Sequence, residues 1–100
     1  MTVYSIAQIT IHDRARYQGY MARFLEVLDR SGGRLLVADD APEVREGSFA
    51  YEKVIVMAFD SRAALERWAA SDEYAALARE RQAASEGVVV VVRGLPRAHP

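Results

Sequence analysis

Val88-Val89-Val90-Val91-Val92, five valines in succession near the C-terminal end of a 100-residue chain, decide how the rest is read. An uninterrupted β-branched run of this length reads as a strand. It is apolar at every position, so it has no face meant for water. Val54-Ile55-Val56-Met57 has the same character and forms the strongest part of a strand ending at Phe59, within the segment Phe49 to Phe59. At the N-terminal end, Val3 to Ile11 reads as a further strand. One of its faces carries Val3, Ser5, Ala7, Ile9 and Ile11, the other Tyr4, Ile6, Gln8 and Thr10, and neither is strongly charged.

Helical patterns fill the gaps. Asp13 is placed to cap a helix running to about Arg30, with Tyr17, Tyr20, Met21, Phe24, Leu25 and Leu28 on one stripe. Gly32-Gly33 ends it, because glycine accepts the left-handed conformation of a C-terminal cap. Arg34 to Ala38 is a short second strand. Asp39 to Ser48, with Asp39-Asp40, Pro42 and Gly47, is a loop or irregular hairpin arm. Asp60-Ser61 caps a second helix that turns Ala64, Leu65 and Trp68 inward. Ser71 interrupts it and caps a further one, with Asp72 and Glu73 in the first turn and Tyr74, Leu77 and Ala78 on the apolar face. Gly87 is expected to stop that helix.

The order is therefore β-α-β-β-α-β, a ferredoxin-like α+β fold with a four-stranded antiparallel sheet and its helices on one face. Residues 1–94 form one expected domain, and 95–100 a C-terminal tail holding two prolines and His99. Helices on one side leave the other sheet face to alternate with polar residues wherever it meets water. The segments 54–57 and 88–92 do not alternate; they resemble central strands covered on both sides. An apolar patch of several hundred Å² is rare on a soluble monomer. The simplest cover is a second copy, which makes a homodimer through the sheet face the expected state.

Composition narrows the partners. Lys+Arg (13) nearly balances Asp+Glu (14), so no basic excess exists to neutralise a nucleic acid backbone. The absence of Cys and the presence of only two His argue against transition-metal sites, disulfides and cysteine nucleophiles. The first residues lack the charged region of a signal peptide, and no apolar run reaches membrane-spanning length. A cytoplasmic protein without a membrane or a cofactor is the expectation.

Several residues together point to a family. They are Tyr17-x-x-Tyr20, Gly32-Gly33-Arg34, Glu46-Gly47, a Val-rich strand ending at Phe59, then Ala64, Trp68, Ser71-x-x-Tyr74, Leu77 and Arg81. In order and spacing the chain resembles the domain of unknown function 1330 family over residues 3 to 94. The resemblance implies a dimeric α+β barrel, in which two ferredoxin-like sheets face each other. It departs at Asp72, where proline follows the serine in the family; both residues suit a helix's first turn. No activity is implied.

The candidate chemistry is sparse. His12 beside Asp13 is a possible proton-transfer group, although Asp13 has a capping role that accounts for it. Tyr17, Tyr20, Trp68 and Tyr74 either pack the core or turn polar tips into a cleft between helices and sheet. Arg34 and Arg81 are placed to clamp a carboxylate, or Arg81 to pair with Glu46. Ser5 and Gln8 either line a cavity or face solvent. The expected ligand-binding residues are Tyr17, Arg34, Trp68, Tyr74 and Arg81, for a small ligand that is apolar in body and either acidic or neutral. Two alternatives remain: a cofactor-free enzyme of the oxygenase or isomerase type, by fold analogy, and a purely structural or interaction module.

Overall fold

The computed structural model describes residues 1–96; His99 and the end of the expected tail lie outside them. The elements are β1 (Val3–Ile11), α1 (Arg14–Ser31), β2 (Arg34–Asp39), β3 (Lys53–Phe59), α2 (Arg62–Ala69), α3 (Asp72–Ala84) and β4 (Ser85–Arg93). The strands form one antiparallel sheet in the order β2-β3-β1-β4, so the first and last strands lie side by side. This is the ferredoxin-like α+β fold, with the second helical region divided in two at Ser71.

Each helix begins where a side-chain oxygen can satisfy a free backbone N–H. Asp13 Oδ1 accepts from Arg16 N at 3.1 Å, and Ser61 Oγ accepts from Ala64 N at 3.1 Å. Ser71 serves two helices. Its Oγ accepts from Tyr74 N at 3.1 Å and donates to Trp68 O at 2.8 Å, opening α3 and closing α2. Gly32 ends α1 with φ of 86°, as its position after the helix requires. Ser71→Ala is expected to cost about 1 kcal/mol, visible in circular dichroism as a melting point lower by about 4–8 °C. An unchanged melting point would show that the cap is dispensable.

The register sorts the sheet into two faces. Val3, Ser5, Ala7 and Ile9 of β1 pair with Phe59, Met57, Ile55 and Lys53 of β3, and all eight are buried on the helix side. On the open side, Ile6 lies between Val56 and Val90, Tyr4 between Ala58 and Val92, and Gln8 between Val54 and Val88. Val37 of β2 extends the row from Val56. The open face is therefore apolar at its centre, with Gln8 among valines, and polar at its margins, where Thr10 pairs with Glu86 and β2 brings Arg34 and Asp39.

Two sequence expectations shift. Gly87 does not stop α3. The helix ends at Ala84, and Gly87 lies inside β4, paired with Ile9. A Cβ there would fall on the Gln8 carbonyl oxygen and 2.8 Å from the Ile9 Cα, so a close approach of two backbones requires the glycine. Second, β3 is central but β4 is an edge strand. The valines of β4 are exposed on both faces of the single chain, from 39% at Val91 and Val92 to 47% at Val90. Their apolar character on the helix side has a separate cause, described next. No helix among the described residues is long and apolar enough to cross a membrane.

Candidate functional site

α3 packs along α1 and leaves the helix side of β4 largely uncovered. Val89 and Val91, opposite Ala7 and Ser5, face the resulting gap. The gap is a cleft of about 470 Å³ between Tyr74, Arg81 and Gln82 of α3 and Ser85, Glu86, Gly87 and Val89 of β4, so one carboxylate, not ion-paired with Arg81, shares its rim. Small-molecule sites commonly fall in this size range. Behind the mouth, Tyr74, Arg81 and Val89 also border an inner chamber of about 30 Å³, floored by Ser5 and Ala7 and walled by Tyr20 and Phe24. That chamber has room for about one water.

Arg81 dominates the electrostatics. It is half-buried, one helical turn beyond Leu77, which anchors α3 in the core. Among the described residues no carboxylate pairs with it; Glu46 stays exposed on the loop after β2. Its charge favours ionisation of the Tyr17 and Tyr20 phenols, but burial opposes this more strongly. Tyr20 is pushed up to about 12, and Tyr17 is raised as well. Both phenols are therefore neutral at ordinary pH, and Tyr20 acts as a hydrogen-bond donor or acceptor rather than as a base.

Tyr17 stands against Tyr20, with ring centroids 5.2 Å apart. Its hydroxyl is buried with no hydrogen-bond partner, which costs about 1–3 kcal/mol if left unmet. On the side of Tyr17 away from the Arg81 cleft lies a second cavity, of about 220 Å³, bordered by Ile11, Arg14, Gln18 and Met21. Lys53 Nζ sits there 5.4 Å from the Tyr17 ring centroid and 2.8 Å from Asp40 Oδ1.

The expected lining residues separate. Tyr74 and Arg81 meet at the cleft, joined by Tyr20. Tyr17 adjoins them through Tyr20 but borders the second cavity. Trp68 is buried in the core, 5.0 Å from the Tyr74 ring and in contact range of Phe24 and Phe59. Its one open side borders a shallow cavity between α1 and α2, not the cleft. Arg34 lies on β2, at the sheet edge opposite β4, where it is exposed and donates to Asp60 Oδ1 at 2.8 Å. His12 is exposed at the β1–α1 junction, its backbone N–H donating to Ala84 O. Ser5 lines the inner chamber, whereas Gln8 lies on the open face.

Sequence reading passed over Lys53. Its partners Asp40 and Tyr17 are distant in the chain, and no local motif marks it. The available signal was compositional: of thirteen Lys and Arg residues, Lys53 is the one lysine.

A search of curated proteins found no match. Solved structures match over nearly the whole chain at low identity. A protein of unknown function from Rhodopseudomonas palustris has a TM-score of 0.78 at 16% identity, covering 96% of this chain and 84% of its own. SnoaB, a cofactor-independent oxygenase from Streptomyces nogalater, has a TM-score of 0.71 at 16% identity, covering 97% and 96%. A dimeric ferredoxin-like protein of unknown function from Jannaschia sp. CCS1 has a TM-score of 0.71 at 18% identity, covering 92% and 96%. At such identities the likeness is one of fold. The family model of the domain of unknown function DUF1330 matches residues 2–95, and the chain belongs to that family.

Proposed function

We propose that the protein is a homodimeric binding domain that takes a small organic acid in the cleft between α3 and β4. The observation that carries this reading is Arg81, a half-buried guanidinium with no ion-paired carboxylate, which stands between a polar cleft that Glu86 also lines and an apolar inner chamber. A partly desolvated guanidinium is stabilised by a planar anion that it can bind in bidentate fashion. Val89 and Tyr74, which line both the cleft and the chamber, suit an apolar body. The Tyr20 phenol, held protonated, adds a polar contact.

The dimer half of the proposal rests on the open face. The row of Val54, Val56, Ile6, Val88 and Val90 gives a second copy a dry surface, and the Jannaschia relative is described as dimeric. A cofactor-free oxygenase like SnoaB is the second reading. It draws on fold similarity, and the neutral Tyr20 supplies it with no base.

Trp68 reports on the cleft, since its ring contacts Tyr74. 1-Naphthoate is expected to change the Trp68 fluorescence saturably, and its neutral methyl ester to do so far less. Arg81→Met should weaken naphthoate about tenfold or more, the worth of one charge-assisted contact. Equal binding of acid and ester, or no saturable response to either, would overturn the reading.

A further inference from the structure

We infer that Lys53 is a reactive amine, the centre of a second site that captures small oxo-acids as a protonated imine. The chain meets every other need for a strong cation with arginine, twelve times among its thirteen Lys and Arg residues. Among the described residues the single lysine is also the most buried strong cation, with 11% of its side chain exposed against 49% or more for each ion-paired arginine. What Lys53 does structurally is pair with Asp40 and lie over the Tyr17 ring. Arginine is the better residue for both tasks, having a planar, weakly hydrated, always-charged head. What lysine offers and arginine does not is a primary amine able to form a C–N bond with a carbonyl carbon.

The surroundings fit that chemistry. The amine borders a cavity of about 220 Å³ rather than solid core. Arg14 borders the same cavity and offers a second positive charge, so the ligand class combines a carbonyl with a carboxylate. Ile11 and Met21 supply an apolar wall. Asp40 is 75% exposed, so its carboxylate is in contact with water as well as with the nitrogen. The Lys53 ammonium holds the Asp40 carboxyl below the usual carboxylate range, which keeps it an anion.

The step balances without a co-reactant. The Lys53 ammonium and the carbonyl give a protonated imine and one water. Lys53 first gives one proton to Asp40 and attacks as the neutral amine, and that proton passes to the carbonyl oxygen as the carbinolamine forms. A second proton follows from the carbinolamine nitrogen by the same carboxylate, the oxygen departs as that water, and the positive charge returns to nitrogen in the imine, opposite Asp40. No group is oxidised or reduced. This site lies across the Tyr17–Tyr20 pair from Arg81 and does not depend on acid binding in the cleft.

The test uses the intact protein with glyoxylate and cyanoborohydride, read by mass spectrometry with peptide mapping. The N-terminal amine serves as an internal reference for ordinary amine reactivity. Lys53 is expected to be alkylated faster than the N-terminus, with a rate that saturates in glyoxylate. Arg14→Met should abolish the preference for glyoxylate over acetaldehyde, and Lys53→Arg should leave only the N-terminal adduct. A Lys53 rate that is linear in glyoxylate, or no faster than the N-terminus, would overturn the proposal. That measurement on the unmodified chain decides the matter even if a variant fails to fold.

Discussion

Val56→Glu is expected to leave the fold intact and to halve the particle mass measured by analytical ultracentrifugation. Val56 lies on the central strand β3, with Ile6 beside it on β1 and Val37 beside it on β2. In the single chain its side chain is only half-buried, so a glutamate there can reach water and the domain keeps its core. In a dimer packed sheet on sheet, each copy would bring one carboxylate into a dry, apolar surface, and a two-fold axis would bring two. Like charges in such a place cost several kcal/mol, a weakening of the dimer by about a hundredfold or more. A variant that remains dimeric would locate the interface elsewhere. A monomeric parent protein at micromolar concentration would remove the dimer altogether.

Phe59→Ala is expected to lower the melting point by about 20 °C, or to prevent folding. Phe59 is wholly buried at the end of β3. Its ring lies 6.2 Å from that of Trp68 and presses on Gly33, where even a Cβ would stand 2.8 Å from it. The side chain thus joins β3, the α1–β2 turn and α2. Removing a buried phenylalanine costs about 3–5 kcal/mol, and in a domain of this size each kcal/mol is worth about 4–8 °C. Thermal unfolding followed by circular dichroism measures the change. A loss under about 5 °C would mean that the surrounding aromatic side chains close the gap, and that Phe59 does not hold these three elements together.

The fold was legible because its signals are local. Asp13, Ser61 and Ser71 announce helix starts through oxygens that reach three residues on, and Gly32 announces an end through its own φ. The alternation in Val3 to Ile11 separates the two faces of β1 without reference to any other strand. The candidate site was less legible because it is assembled across the chain. Arg34 has the right chemistry for an anion clamp, yet the strand order sends β2 to the edge farthest from the cleft. Trp68 has the right surface, yet Phe24, Phe59 and Tyr74 enclose it. Gly87 reads as a helix stop because glycine usually marks one. Its actual cause, the backbone of β1 passing close by, lies nearly eighty residues upstream in the sequence. Lys53 becomes conspicuous only when Tyr17 and Asp40 are placed beside it.

The pairing of β1 with β4 bears on how the molecule is made. Val3 meets Arg93, so the strand synthesised first waits for the one synthesised last before the sheet can close. Until then β1 is without one of its two neighbours, and the valine run emerges as an uncharged, proline-free, β-prone segment. Such segments self-associate when left unpaired, and folding that relies on contacts so distant in sequence is slow. The same five valines that give the edge of the sheet its apolar surface are thus the part of a newborn chain most in need of protection.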